Sequence, residues 1–148
     1  MDYVLRTQSL TKQFGEKIAV KNISMQIKKG EIYGFIGKNG AGKTTLMRLV
    51  LGAAMPTSGS IELFGGQESE NEARHRTGAL LEYPCIYKNC TALENLRRFA
   101  ILTGTGTDEL EDILDLVGLK GVGKKKAGQF SLGMKQRLAI GIALLGHP

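Results

Sequence analysis

At 148 residues with a net charge of +6, the chain is long enough to bury one modest core and too short for several. A basic balance suits nucleic acid or a membrane surface, but the excess is scattered, Lys124-Lys125-Lys126 reads as a solvated loop, and no nucleic-acid-binding motif is present. The longest apolar stretch, Leu138 to Leu145, is too short to cross a bilayer; the start lacks a signal-peptide run; and Cys85 and Cys90 have neither C-x-x-C nor zinc-like spacing, so reduced cytosolic thiols are expected.

In chain order, Tyr3 to Ser9 alternates weakly and reads as a strand, and Ile18 to Ile27 reads as a second, ending at Lys28-Lys29-Gly30. Ile32 to Ile36 is a continuous apolar run and reads as a buried strand. A helix pattern follows from Thr44 to Leu51, with Gly52 as its stop. Met55 to Gly59 is a turn, Ser60 to Phe64 a short strand, and Gly65-Gly66 breaks it. Glu68 to Arg76 reads as a short polar helix and Thr77 to Glu82 as another strand. Thr91 and Glu94 form a capping box that opens a helix to about Leu102. Leu110, Ile113, Leu114 and Val117 make an apolar stripe, stopped by Gly118. Ser131 is the N-cap of a last helix, Leu132 to Leu145, ended by Gly146 and Pro148. Strands therefore dominate the first half and helices the second, with no internal repeat.

The segment Gly37-Lys38-Asn39-Gly40-Ala41-Gly42-Lys43-Thr44, followed by Thr45, fits G-x-x-x-x-G-K-[ST] without a mismatch. It lies between a strand and a helix, as a phosphate-binding loop requires. Glycines let the backbone wrap around phosphate so that N–H groups point inward, and a helix N-terminus adds positive partial charge. Lys43 is placed to reach the β- and γ-phosphates, and the Thr44 hydroxyl to bind Mg²⁺.

Many nucleotide-binding proteins share that loop. A second segment, Phe130-Ser131-Leu132-Gly133-Met134-Lys135-Gln136-Arg137, resembles the signature of ABC transporter ATPases, usually Leu-Ser-Gly-Gly-Gln followed by Gln-Arg. Ser131, Gly133, Gln136 and Arg137 match, Phe130 is a conservative change, and Leu132 and Met134 depart from the common form. This variant resembles that of the bacitracin- and lantibiotic-export branch. A serine and glycine N–H groups at a helix start make a second anion site; in the family it closes over ATP held by the opposing subunit. Leu10 to Gly15 resembles the segment that sets an aromatic ring under adenine, which assigns stacking to Phe14; a core position is its alternative. Asn22 to Glu31 resembles the family's approach to the loop. Thr77 to Pro84 sits where the family has its Q-loop, with Glu82 in the glutamine's place, able to hold Mg²⁺ directly or through water.

The resemblance implies an α/β P-loop NTPase of the ABC ATPase type, with an incomplete core sheet, an antiparallel β segment and a helical subdomain. Residues 1–90 would belong to the ATP-binding core and residues 91–148 to the helical subdomain. In the family, an apolar run ending in Asp-Glu follows the signature helix and supplies the hydrolytic acids. The chain is thus expected to be an amino-terminal piece without catalytic residues of its own. Asp115 reads as a helix-surface acid, and neither His75 nor His147 is the family's switch histidine. The implied parent is an ATPase subunit of a bacterial exporter, with antimicrobial peptides as the candidate cargo, binding ATP and Mg²⁺. Its partners would be a second ATPase subunit and a transmembrane permease, with no nucleic acid, at the inner face of the membrane. The segment Tyr83 to Leu93 is expected to touch the permease. The alternative is a soluble ABC-type ATPase regulating translation or DNA repair.

Overall fold

The computed structural model describes residues 3–66, 69–81 and 85–148. The chain divides into two compact units, Met1–Arg74 and His75–Pro148.

The first unit is built on an antiparallel hairpin, β1 (Tyr3–Phe14) and β2 (Lys17–Lys28), joined at Gly15 with φ +56°. β3 (Ser58–Leu63) pairs antiparallel with the other edge of β1, giving the order β2-β1-β3. The hairpin is not regular. Ser9 and Asn22 adopt positive φ, and the β1–β2 register shifts between Thr7 and Leu10. The buried Thr7 hydroxyl mends the ladder there. It donates to the Ile23 carbonyl at 3.0 Å and accepts from the Met25 amide at 3.1 Å, so the bulge leaves those two groups bonded. Leu10 and Val20 of the sheet meet Leu46 and Leu49 of α1 (Lys43–Val50), with Ile23, Met25, Ala54 and Ile61 at the margin. These two leucines, three apart, form the inward stripe of α1. α2 (Glu70–His75) follows, its start held by reciprocal bonds between Ser69 and Glu72.

The second unit is helical. α3 (Ala92–Thr103), α4 (Leu110–Leu116) and α5 (Leu132–Ala143) pack around Leu96, Ala100, Ile113, Leu114, Phe130 and Leu138. Their ends follow local chemistry. Thr91 and Glu94 close both bonds of the capping box. Gly104 takes φ +70° just past α3, and Thr105 N–H returns to the Ala100 carbonyl at 2.9 Å, a glycine-stopped C-terminus. Gly141 lets α4 approach α5, since a Cβ there would lie 3.2 Å from Ile113 Cγ2. Asp115 pairs with Lys120 at the surface of α4.

Two expected strands are absent. Ile32 to Ile36 joins no ladder, and Ile32 and Ile36 are each 99% exposed. Thr77 to Leu81 is likewise without strand structure, and Glu82 lies outside the described residues. A strand exists only through its neighbour, and the three-stranded sheet supplies none to either segment. Apolar composition identified the tendency of these segments and could not provide their partner.

Candidate functional site

The loop at residues 37–45 lies between a tight turn and a helix buried on one face. At the turn, Glu31 folds back on the end of β2: its carboxylate accepts from the Lys28 amide at 2.8 Å, and its own N–H donates to the Lys28 carbonyl at 3.2 Å. At the far end, Leu46 and Leu49 anchor α1 in the core. Between them, Gly40 and Gly42 adopt φ of +83° and +91°, the left-handed region that side chains resist. The Ala41 amide donates to the Lys38 carbonyl at 3.1 Å, turning the chain back before the helix.

Lys43 reaches across this loop. Its Nζ donates to the Gly37 carbonyl at 2.6 Å and to the Lys38 carbonyl at 2.9 Å. An ammonium has three donors, so two fix its place and one remains for a ligand. Gly37 makes room for the passage, because a Cβ there would stand 3.3 Å from Ala41 Cβ and 3.8 Å from Lys43 Cδ. No side chain caps the start of α1, and its first turn carries no acid. Its leading N–H groups therefore lack intrahelical partners, and they share one end with the Lys43 ammonium and the exposed Lys38. Peptide donors, helix dipole and two cations in one turn favour a polyanion. Thr44 and Thr45 sit half-buried in that first turn. Asn39 is exposed at the loop's crest.

The remaining expected residues are placed as follows. Phe14 stands at the end of β1, 54% exposed, with Lys12 Nζ 4.8 Å from its ring centroid; it lies outside the apolar core. Glu82 falls outside the described residues. Among the described residues no group of three or more His, Cys, Asp or Glu could hold a metal ion.

In the second unit, Ser131 adopts φ −62° and ψ 166° and its hydroxyl accepts from the Met134 amide at 3.3 Å. Phe130, 4% exposed, pins the chain behind it, while Leu132 and Gly133 stand open to solvent. Arg137 reaches from α5 to the Gly118 carbonyl at 3.3 Å. Sequence reasoning missed one residue of this unit, the fully buried Asn95. Its signal is legible in retrospect: it is a lone amide within the apolar stripe Ala92, Leu96, Phe99 and Ala100 of α3.

Residues 20–148 match the family model described as ABC transporter. The bacitracin transport ATP-binding protein BcrA of Bacillus licheniformis is 44% identical over 151 aligned residues, covering 100% of this chain and 49% of that protein. The lantibiotic transport ATP-binding protein SrtF of Streptococcus pyogenes is 39% identical, covering 98% and 63%. The chain thus spans about half to two thirds of the length of these relatives. Among solved structures, CbiO1 of Clostridium perfringens, described as part of an ABC transporter complex, aligns with a TM-score of 0.83 at 26% identity, over 97% of this chain and 62% of that one.

Proposed function

The chain belongs to the ABC transporter family, and from that premise we propose that it forms the nucleotide-binding part of an ATPase subunit of a bacterial exporter. The carrying observation is the seat of Lys43 on the Gly37 and Lys38 carbonyls, beside the uncapped start of α1. In this reading the amides of Gly37 to Thr45 and the Lys43 ammonium bind the β- and γ-phosphates of ATP, and Phe14 offers its exposed face to adenine. The Thr44 hydroxyl is the protein's ligand for Mg²⁺, with Glu82 as the second candidate. When bound, such an ion neutralises phosphate charge that grows as the γ-phosphoryl group leaves.

Ser131 and Gly133 face ATP on a second copy, so that nucleotide joins two subunits. The helix start there presents amides and a hydroxyl in the open, which fits a site completed by another chain. The segment 83–93 contacts a permease, which places the protein at the inner face of the membrane; no helix among the described residues is long and apolar enough to cross one itself. Residues 1–90 contribute to the ATP-binding core and 91–148 to the helical subdomain. The transport names of the relatives favour an exporter, with bacitracin- or lantibiotic-like peptides as the cargo class, over a soluble regulator.

Calorimetry of the full-length protein with Mg-ATP tests the nucleotide reading. Binding weakened by about ten- to a hundredfold in Lys43→Ala is the expected result. Equal affinity in wild type and variant would reject the site.

A further inference from the structure

The second unit holds a buried polar side chain for which nucleotide binding has no use. The Asn95 amide on α3 is spent entirely on one loop. Its Oδ1 accepts from the Tyr87 amide at 2.7 Å, and its Nδ2 donates to the carbonyls of Tyr87 at 3.0 Å and Thr91 at 2.8 Å, with the Cys90 carbonyl at 3.4 Å. Arg98 and Phe99 lie three and four residues on, hence on the same helix face. They take the Tyr87 side chain: the guanidinium is 5.4 Å from its ring centroid and the Phe99 ring 6.0 Å. One face of α3 thereby seats the segment 87–91, while Tyr87, Lys88 and Asn89 remain exposed on its outer side.

The same segment is stitched to the chain that leads into Ser131. The Lys88 carbonyl accepts from Gly128 N–H at 2.8 Å, and the Cys90 carbonyl from Ala127 N–H at 2.9 Å. The Ala92 amide donates to the Lys125 carbonyl at 3.2 Å and the Leu93 amide to the Gly123 carbonyl at 3.0 Å. The Cys90 carbonyl is thus shared between Asn95 and Ala127. Ala127 and Phe130 are buried, and Ser131 is the next residue. Contact at Gly128 is close: a Cβ there would come within 2.9 Å of the Lys88 carbonyl oxygen.

We propose that Asn95 is a positioning residue that locks the exposed loop 87–91 and the turn 126–130 into one body, so that displacement of the loop by a permease moves Ser131. The inference rests on the exporter reading above, which makes the loop the permease contact and Ser131 part of the facing nucleotide site. The warrant is the bonding itself. A buried amide with donors and acceptor all engaged tolerates one loop geometry, since any slip leaves polar groups buried without partners. Removing it leaves the loop itself held to the turn by the two backbone bonds at Lys88 and Cys90, with those of Ala92 and Leu93 at the start of α3, and with a ring contact that is half exposed.

Two measurements on the full-length protein test this. The first is amide hydrogen exchange without nucleotide or permease. In Asn95→Ala, Ala127 and Gly128 should exchange about tenfold faster or more, while Leu138 and Ala139 in α5 keep their wild-type rates. Unchanged rates at Ala127 and Gly128 overturn the proposal. The second is ATP turnover with the protein reassembled on its permease. Asn95→Ala should lose about fivefold or more of the permease-dependent increment while its ATP affinity stays the same. Faster exchange with a full increment overturns the coupling. Gly128→Ala, which wedges a methyl group against the Lys88 carbonyl, should give the same loss, and the double variant no further loss; additive losses also overturn it. A wild-type complex that shows no permease-dependent increment rejects the exporter reading, and the inference falls with it. The exchange measurement, which needs neither partner, tells the two failures apart.

Discussion

Gly42 and the carbonyl oxygen of Ala19 are in such close approach that a Cβ on residue 42 would lie 2.1 Å from that oxygen. β2 thereby dictates the residue that begins α1. Two demands meet at one position, since Gly42 also has φ +91°. Gly42→Ala is expected to cost about 1–3 kcal/mol from overpacking and left-handed strain together. Urea unfolding of the variant beside wild type measures it. A midpoint equal to wild type would mean that the loop relaxes away from β2.

The Lys43 ammonium is expected to contribute about 1.5–3 kcal/mol to phosphate binding, as a charged donor does. Lys43→Ala should therefore weaken Mg-ATP by about ten- to a hundredfold without lowering the unfolding midpoint. Lys43→Arg should not restore affinity, because a planar guanidinium cannot repeat the two bonds to Gly37 and Lys38 in that space. Titration calorimetry on the three proteins decides both points.

Ser131 caps α5 through the Met134 amide. Ser131→Ala should lower stability by about 0.5–2 kcal/mol, and Ser131→Gly by only a few tenths. If Ser131 also meets nucleotide on a second copy, both variants should weaken ATP-dependent dimerisation alike. Comparing thermal unfolding with sedimentation in the presence of ATP separates the two roles. Dimerisation that follows stability alone would remove Ser131 from the nucleotide interface.

The Glu94 carboxylate accepts from the Thr91 backbone amide at 2.7 Å, and this bond first, with the nearby Thr91 hydroxyl second, holds its pKa below the usual value of 4.5. A depressed folded-state pKa stabilises above the unfolded value and is lost as pH falls through the folded one. The first turn of α3 should therefore fray as the solution is acidified below about pH 4.5, and Glu94→Gln should remove that step. NMR shifts of the Thr91 and Glu94 amides during acid titration are the readout. An unchanged titration in Glu94→Gln would assign the fraying to another group.

Ile32 and Ile36 expose their side chains almost fully within an apolar run that has no ladder partner among the described residues. Such a segment invites pairing with another chain. The 148-residue chain on its own should self-associate as concentration rises, and Ile32→Lys with Ile36→Lys should suppress this. Light scattering across a dilution series gives the answer; a monomer at every concentration would show that the run is protected in solution.

What could be read in the sequence was what is local. The capping box at Thr91, the serine cap of α5 and the glycine stops after α1 and α4 all fell where the chain carries their chemistry, because each involves residues within a turn of one another. The left-handed glycine turn at Gly40 and Gly42 that leads into α1 was legible for the same reason. Sheet membership was not. β1 runs on to Phe14, five residues past the end of its alternation at Ser9, because β2 and β3 flank it on both edges. Ile32 to Ile36 has stronger strand composition and no strand, for lack of a neighbour. The bulges at Ser9 and Asn22 and the clasp of Asn95 on Tyr87 depend on groups eight or more residues apart, beyond what spacing rules reach.

The two carbonyl bonds that hold Lys43 also bear on the thermodynamics of recognition. A lysine side chain carries about 2 kcal/mol of rotamer entropy, ordinarily surrendered when its ammonium grips an anion. Here the chain has given up much of that freedom before any ligand arrives, and the stability of α1 in the apolar core meets the expense. On the proposed nucleotide reading, phosphate entering the loop would find a cation already oriented, and the entropic penalty of association would fall mainly on the nucleotide. A preorganised cation of this kind discriminates by the shape of the phosphate chain as well as by its charge.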